Sequence, residues 1–379
     1  MKKLEIILGL LSWIWIFSCT QKEANPVGSL YFDDEDLAHV QYQTLYAANS
    51  DTSFQVSTAT GNSDFLYIGR MNDMQSSTLF IFDSIADTAE IDSAVLLLNV
   101  YRLVNQNTLP AVIDIHTMNT SWDDSMTDED FDASMIGDRI GSITVSNDTI
   151  DSLFFRMDTD LVTSWMDTTS GTNYGLCLST EDDAMLQCFS RDISSTTSSG
   201  PQLWIYFKDD STRYPEIDEA GHDTFIATSD FTADPHLMVE TGTAFRSYLE
   251  FDLSMFTENT IINQAVISLT ADTLQTLPAL DQSIGLMACY LDSAFDITSV
   301  ECESANSGSG LFEDGMGSID MTYVIQDMIS ERKNNLGFLI QGQYETSELS
   351  RMVFFSTEAD SASQPRLEIT YTLPPANSL

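Results

Sequence analysis

MDTDLVTSWMDTTSGTNYGLCLSTEDDAMLQCFSRDISSTTSSGPQLWIYF, from Met157 to Phe207, returns in altered form as IDMTYVIQDMISERKNNLGFLIQGQYETSELSRMVFFSTEADSASQPRLEITY, from Ile319 to Tyr371. Each version opens on an aspartate, Asp158 or Asp320, placed to cap a short helix. Leu161, Val162, Trp165 and Met166 then fall on one face of two turns, and Tyr323, Val324 and Met328 repeat most of that spacing. Trp165 is therefore expected in a core. Asn173-Tyr174-Gly175 and Asn335-Leu336-Gly337 return the chain to a strand through a glycine suited to positive φ. Each version closes on strict alternation, with Leu203, Ile205 and Phe207 matching Leu367, Ile369 and Tyr371.

Two earlier blocks repeat in the same order. Thr78-Leu79-Phe80-Ile81-Phe82-Asp83 corresponds to Ser247-Tyr248-Leu249-Glu250-Phe251-Asp252. Ile91-Asp92-Ser93-Ala94-Val95-Leu96-Leu97-Leu98 corresponds to Ile262-Asn263-Gln264-Ala265-Val266-Ile267-Ser268-Leu269. The spacing between matched blocks drifts, as it does when loops change length and strands persist. The chain thus reads as two copies of one domain. Short alternating stretches separated by Asn, Asp, Gly, Ser and Thr predict an all-β fold of two tandem antiparallel β-sandwiches, each with one short helix.

The boundaries follow from composition. Residues 1–18 read as a lipoprotein signal peptide: Met1-Lys2-Lys3 is basic, Leu4 to Phe17 is apolar but short for a membrane span, and Ile16-Phe17-Ser18-Cys19 resembles a lipobox. On that reading Cys19 becomes the acylated first residue of the mature chain, anchored by lipid, and Thr20 carries no retention aspartate, which favours the outer membrane. Residues 19–44 form an acidic tether, 45–207 the first sandwich, 208–220 a polar linker, 221–373 the second sandwich and 374–379 a tail.

With 58 acids against 15 lysines and arginines, the net charge of −43 repels the phosphates of nucleic acid and anionic lipid surfaces. The four histidines, His39, His116, His222 and His236, show no zinc-type spacing, and neither a nucleophile elbow nor a phosphate-binding glycine loop is present. The sequence is read as non-catalytic, with no required cofactor. Asp128-Glu129-Asp130-Phe131-Asp132 imitates an EF-hand start, but Ala133 stands at the glycine position and Arg139 at the bidentate glutamate. Asp123, Asp124, Asp128 and Asp130 remain candidate oxygen ligands for Ca2+ from adjoining loops. Setting Cys19 aside, Cys177 with Cys188 and Cys289 with Cys302 are two candidate disulfides, or each cysteine is a small buried residue.

The order of motifs resembles the DNRLRE domain, also classed as carbohydrate-binding module family 96. The resemblance rests on the strand ending Phe80-Ile81-Phe82-Asp83, the Ile91-to-Leu98 strand, Ser121-Trp122-Asp123-Asp124, the aspartate-helix-Asn-x-Gly block, and Phe189-Ser190-Arg191 before the closing strand. It implies a jelly-roll sandwich on exported surface proteins, some joined to polysaccharide-degrading enzymes and some binding uronic-acid polymers. The second copy departs from the pattern, with Leu291-Asp292-Ser293 where Trp122-Asp123 stood and Glu331-Arg332-Lys333 where the first copy has Thr169-Ser170-Gly171.

The copies differ most on their outward faces. Trp204 and Tyr206 stand where the second copy has Glu368 and Thr370, Ile81 where it has Glu250, and Leu97 where it has Ser268. Trp204, Tyr206, Tyr101, Leu97, Ile81 and Trp122 are the candidate ligand or interface residues; the sequence favours a structural or protein-interaction surface module, with a polysaccharide-binding aromatic face on the first domain as the alternative. The charge disfavours an acidic glycan unless calcium bridges it.

Overall fold

The computed structural model describes residues 40–47, 50–83, 85, 89–104, 109–146, 151–166, 173–194, 199–208, 215–232, 235–277, 284–291, 293–298, 302, 307–330 and 334–373. The signal-peptide and tether readings up to residue 39, with Cys19, fall outside them, as does the 374–379 tail. The described chain is two antiparallel β-sandwiches with two short helices.

In chain order the elements are β1 (Val40–Tyr46), β2 (Asp51–Gln55), β3 (Phe65–Met71), β4 (Met74–Ile81), β5 (Ile91–Leu103), β6 (Ala111–Met118), β7 (Ile136–Val145), β8 (Ser152–Met157), α1 (Thr159–Met166), β9 (Leu176–Ser179), β10 (Met185–Phe189) and β11 (Gln202–Phe207). There follow β12 (Glu216–Glu219), β13 (His222–Ser229), β14 (Leu237–Thr241), β15 (Phe245–Leu249), β16 (Ile261–Thr270), β17 (Ile284–Tyr290), β18 (Ser307–Glu313), β19 (Met316–Asp320), α2 (Thr322–Ile329), β20 (Phe338–Gly342), β21 (Ser350–Phe354) and β22 (Arg366–Thr372). Strands β3 to β13 make one curled sheet system, and β1, β2 and β14 to β22 make the other.

The repeat survives down to single hydrogen bonds. Asp158 Oδ1 accepts the Asp160 N–H and Asp320 Oδ1 the Thr322 N–H, both at 2.9 Å, so an aspartate just ahead of each helix takes up one of its free first-turn donors. Asn173 donates its amide to the Phe82 carbonyl at 2.6 Å, and Asn335 donates to Phe251 at 2.7 Å. The following Gly175 and Gly337 adopt φ of 83° and 87°, where an L side chain is strained. Val162 and Trp165 are buried in the first core with Leu161 and Met166 against its rim. In α2 the buried face is Val324, Ile325, Met328 and Ile329. Tyr323, expected to turn inward, is 71% exposed, because the apolar face of α2 is shifted one position along the helix, onto Val324 with Ile325 and Met328 with Ile329.

Strand pairing does not follow the order of the two copies. β1 pairs with β22 and β2 with β15, so Val40–Tyr46 and Asp51–Gln55 lie in the second sandwich. β12 pairs with β11 and β13 with β4, so residues 216–229, at the start of the second copy, complete the first. Each copy's opening strands thus pair with the body of the other. Asp223 on β13 accepts the Arg191 N–H at 2.8 Å, and Asp51 on β2 accepts the Thr357 N–H at 2.7 Å. Phe189-Ser190-Arg191 and Phe355-Ser356-Thr357 are equivalent in the repeat, so the two exchanged strands make the same contact in opposite sandwiches. Part of the expected tether, residues 40–44, and part of the expected linker, 216–220, are accordingly strand or strand end.

The sandwiches meet at a buried ionic and apolar junction. Arg351 on β21 is 2% exposed and donates to Glu240 Oε1 on β14 at 2.9 Å, to Asp73 in the β3–β4 turn at 2.7 Å and to the Ser229 hydroxyl at 2.7 Å. Its guanidinium carbon lies 4.4 Å from the Phe231 ring centre. Beside it Tyr67, Met74, Met185 and Phe225 of the first sandwich enclose Leu349 of the second. The buried pair Arg351–Glu240 lies within the second sandwich, and the same guanidinium reaches the part-exposed Asp73 and the Ser229 hydroxyl of the first, so parting the sandwiches would take two polar partners from Arg351.

Candidate functional site

The outward face of the first sandwich is made by β12, β11, β5 and β8 side by side. Register places Ile217, Trp204, Val95 and Arg156 in one row across these strands. The next row is Glu219, Gln202, Leu97 and Phe154, and Tyr206 opposes Ser93 beyond Trp204. Residues directly opposite share a face, so these side chains form one surface, while Leu96, Leu98, Leu203 and Ile205 point into the core.

Phe154 is 57% and Ile217 50% exposed, and Trp204 is half-buried between them. The Trp204 and Phe154 rings meet edge to face, centres 6.4 Å apart and planes at 71°. The indole N–H donates to Gln202 Oε1 at 3.0 Å, which fixes the ring and leaves its open face apolar. Tyr101 continues the outward row of β5, is 52% exposed, and packs on Phe65 and Phe189 with centres 4.9 and 5.5 Å away. The principal packing partners of β5, β8 and β11 all belong to the first sandwich.

The strand register aligns the same positions of the two copies. In the second sandwich Glu368 opposes Val266 and Thr44, and Val266 opposes Asp320. Trp204 is thus replaced by Glu368, Leu97 by Ser268, Phe154 by Ser318 and Arg156 by Asp320 on the equivalent face. Sequence reading missed Phe154, Ile217 and Arg156. The alternation of Ser152-Leu153-Phe154-Phe155-Arg156 announces a strand, but the strand's neighbours decide which face is joined to Trp204.

Two of the candidates lie elsewhere. Ile81 ends β4 opposite His222, and Trp122 donates its indole N–H to the Tyr174 carbonyl at 2.8 Å, packing beside Met118 and Met126. Trp122 is a structural plug over the other sheet.

The four candidate calcium ligands do not converge. Asp123 accepts from the Ser125 hydroxyl and backbone N–H, and those bonds hold its carboxyl below the usual range. Asp124 binds Arg191 at 2.8 Å and His222 Nδ1 at 3.0 Å. Asp128 accepts from Ser57 at 2.9 Å and Gln55 at 3.3 Å, and Asp130 from the Thr127 hydroxyl at 2.9 Å. Each acid is engaged by its own donor, and among the described residues no three acids, histidines or cysteines gather as a metal-binding group. Asp223, 1% exposed beside this network, has its carboxyl pushed up to about 7, chiefly by burial.

Cys177 and Cys188 are free and buried. They sit on β9 and β10, with β3 and β4 between those strands. Three strand spacings, about 14 Å, separate them, beyond the reach of a disulfide. Burial pushes both thiols up to about 12. Cys289 and Cys302 are joined as a disulfide.

No family model and no curated protein matches this chain. Among solved structures, the N-terminal CBM22-1-CBM22-2 tandem domain of Paenibacillus barcinonensis Xyn10C aligns over 88% of this chain and 91% of its own, at 9% identity and a TM-score of 0.13.

Proposed function

We propose that this chain is a lipid-anchored, extracytoplasmic, non-catalytic binding module, and that the β12–β11–β5–β8 face of its first sandwich receives a neutral polysaccharide. The observation that carries this reading is the face itself. Trp204, Phe154, Ile217 and Val95 lie together over the buried Leu97, on strands whose principal packing partners are all in the first sandwich, in a chain whose net charge is −43. Glu219 and Arg156 are the charged residues of its two central rows, so the face is locally near neutral. An apolar face left uncovered marks an interaction surface, and aromatic rings bordered by amide and guanidinium donors suit sugars, which offer apolar C–H faces and hydroxyl rims. Trp204 and Tyr206 are two residues apart on one strand, about 7 Å, so both rings can meet one extended chain. The resemblance of the motif order to the DNRLRE domain supports the same reading.

A second reading, a structural or protein-interaction module, draws on the 71° angle between Trp204 and Phe154. Tilted rings with Leu97 between them resemble the packed centre of a protein interface more than a flat platform. Binding of the purified chain to an array of neutral and uronic-acid glycans, with and without calcium, separates the two. Glycan capture lost in Trp204→Ala supports the polysaccharide reading. Capture unaffected by that substitution, or none on any glycan, overturns it.

A further inference from the structure

The strands at equivalent edges of the two sandwiches are built differently. β12, at the edge of the first, is Glu216-Ile217-Asp218-Glu219, and its acids deter another strand from pairing there. β1, at the edge of the second, is Val40-Gln41-Tyr42-Gln43-Thr44-Leu45-Tyr46, seven residues without a charge in a chain that carries 58 acids. It also lacks proline and pairs with β22 without a bulge. Val40, Tyr42 and Tyr46 are 55%, 62% and 49% exposed, and among the described residues no strand lies on the far side of β1.

The peptide groups available on that far side follow from the ladder. The Ala47 N–H donates to the Pro365 carbonyl at 3.1 Å, in continuation of the register that pairs Leu45 with Leu367 and Gln43 with Ile369. Antiparallel residues alternate the side to which they turn N–H and C=O. Val40, Tyr42, Thr44 and Tyr46 therefore direct their donors and acceptors to the open edge, and the same four carry their side chains on the outward face.

We propose that β1 is a self-association edge, on which a second copy of this chain pairs its own β1 antiparallel about a two-fold axis through Gln43. In that register Tyr42 opposes the partner's Thr44 and Val40 opposes the partner's Tyr46. All four open residues find hydrogen-bonding counterparts, each pair joins an aromatic to a β-branched side chain, and no charged side chains of the two β1 strands meet. The strand is its own complement, which is the condition for a closed two-fold contact and one that a strand of foreign sequence has no reason to satisfy. The −43 charge on each copy opposes the approach, so association strengthens as salt screens it.

The test is sedimentation velocity on the full-length chain in mild detergent at low and high salt, with Gln43→Cys for cross-linking. A directly opposed pair on the axis has Cα atoms about 4.5 Å apart, within disulfide range. The expected results are a dimer favoured by salt, a disulfide between the introduced thiols of two Gln43→Cys copies found by peptide mapping after mild oxidation, and loss of the dimer in Tyr42→Lys. The Tyr42 side chain points outward, so thermal unfolding of Tyr42→Lys should match the parent and rule out loss of the fold. A control, Tyr46→Cys, lies about 20 Å from its own counterpart in this register and should stay uncross-linked. A monomer under all conditions, a dimer that survives Tyr42→Lys, or equal cross-linking of Tyr46→Cys and Gln43→Cys would overturn the proposal.

Discussion

Replacing Arg351 by alanine should be among the most damaging single changes available, and the junction geometry sets the size of the effect. Arg351 is 2% exposed, its partner Glu240 is 0% exposed, and the guanidinium also binds Asp73 and Ser229 from the other sandwich. Removing it leaves the Glu240 carboxylate buried without its counter-charge, a loss of about 3–5 kcal/mol for a buried pair broken on one side. The Phe231 contact, at 4.4 Å, adds about 1 kcal/mol. The same physics says that removing both charges is much milder, because a buried pair can give way to apolar groups of similar volume at little cost. Arg351→Met with Glu240→Leu should therefore regain most of what Arg351→Ala loses. Urea denaturation followed by fluorescence and circular dichroism measures both. A loss below about 1 kcal/mol for Arg351→Ala, the size expected of a surface pair, would refute the assignment of a buried lock, as would a double variant no better than the single.

Asp223→Asn should raise stability at alkaline pH. Burial has pushed the Asp223 carboxyl up to about 7, above its unfolded value, so the folded chain prefers the protonated form. Stability from this group is greatest below the ordinary aspartate range and is lost as pH rises to about 7. Thermal melts at about pH 5 and pH 8 should differ by on the order of 2 kcal/mol less in the variant than in the parent, and an identical pH dependence would contradict the burial argument. Gly337→Ala places a side chain at φ 87° against the Tyr248 ring and should cost about 1–3 kcal/mol in denaturant titration; a neutral effect would show that the turn can move. Cys289→Ser opens a loop of sequence separation 13 and should cost about 3 kcal/mol on the chain-entropy account, measured as the stability difference without reductant. Under reductant the parent and Cys289→Ser should converge, and a persisting gap would assign the loss to packing.

What the sequence discloses and what it hides differ for physical reasons. Side-chain alternation reports which residues of a strand face a core, so Leu203, Ile205, Leu367 and Ile369 are legible from their spacing alone. Aspartates at helix starts and the Asn-x-Gly turns are local hydrogen-bond problems with local solutions, and Asp158, Asp320, Gly175 and Gly337 are readable for that reason. Strand partnership is set by contacts far apart in sequence. Nothing within Val40–Tyr46 says that it pairs with Arg366–Thr372 rather than with the strands that follow it. The same limit hid Phe154 and Ile217 from the candidate face and separated Cys177 from Cys188 by two intervening strands. Clustered acids also misled, because Asp123, Asp124, Asp128 and Asp130 are near in sequence yet each is turned to a different donor.

The central claim is that the outward face around Trp204 receives a neutral polysaccharide. Equilibrium binding of the purified chain to the best-captured glycan, by isothermal titration with Trp204→Ala and Glu368→Ala in parallel, tests it most directly. The account predicts that Trp204→Ala weakens binding at least tenfold, about 1.4 kcal/mol, while Glu368→Ala, at the equivalent place in the second sandwich, leaves it unchanged. Equal affinity for the parent and Trp204→Ala would contradict the account.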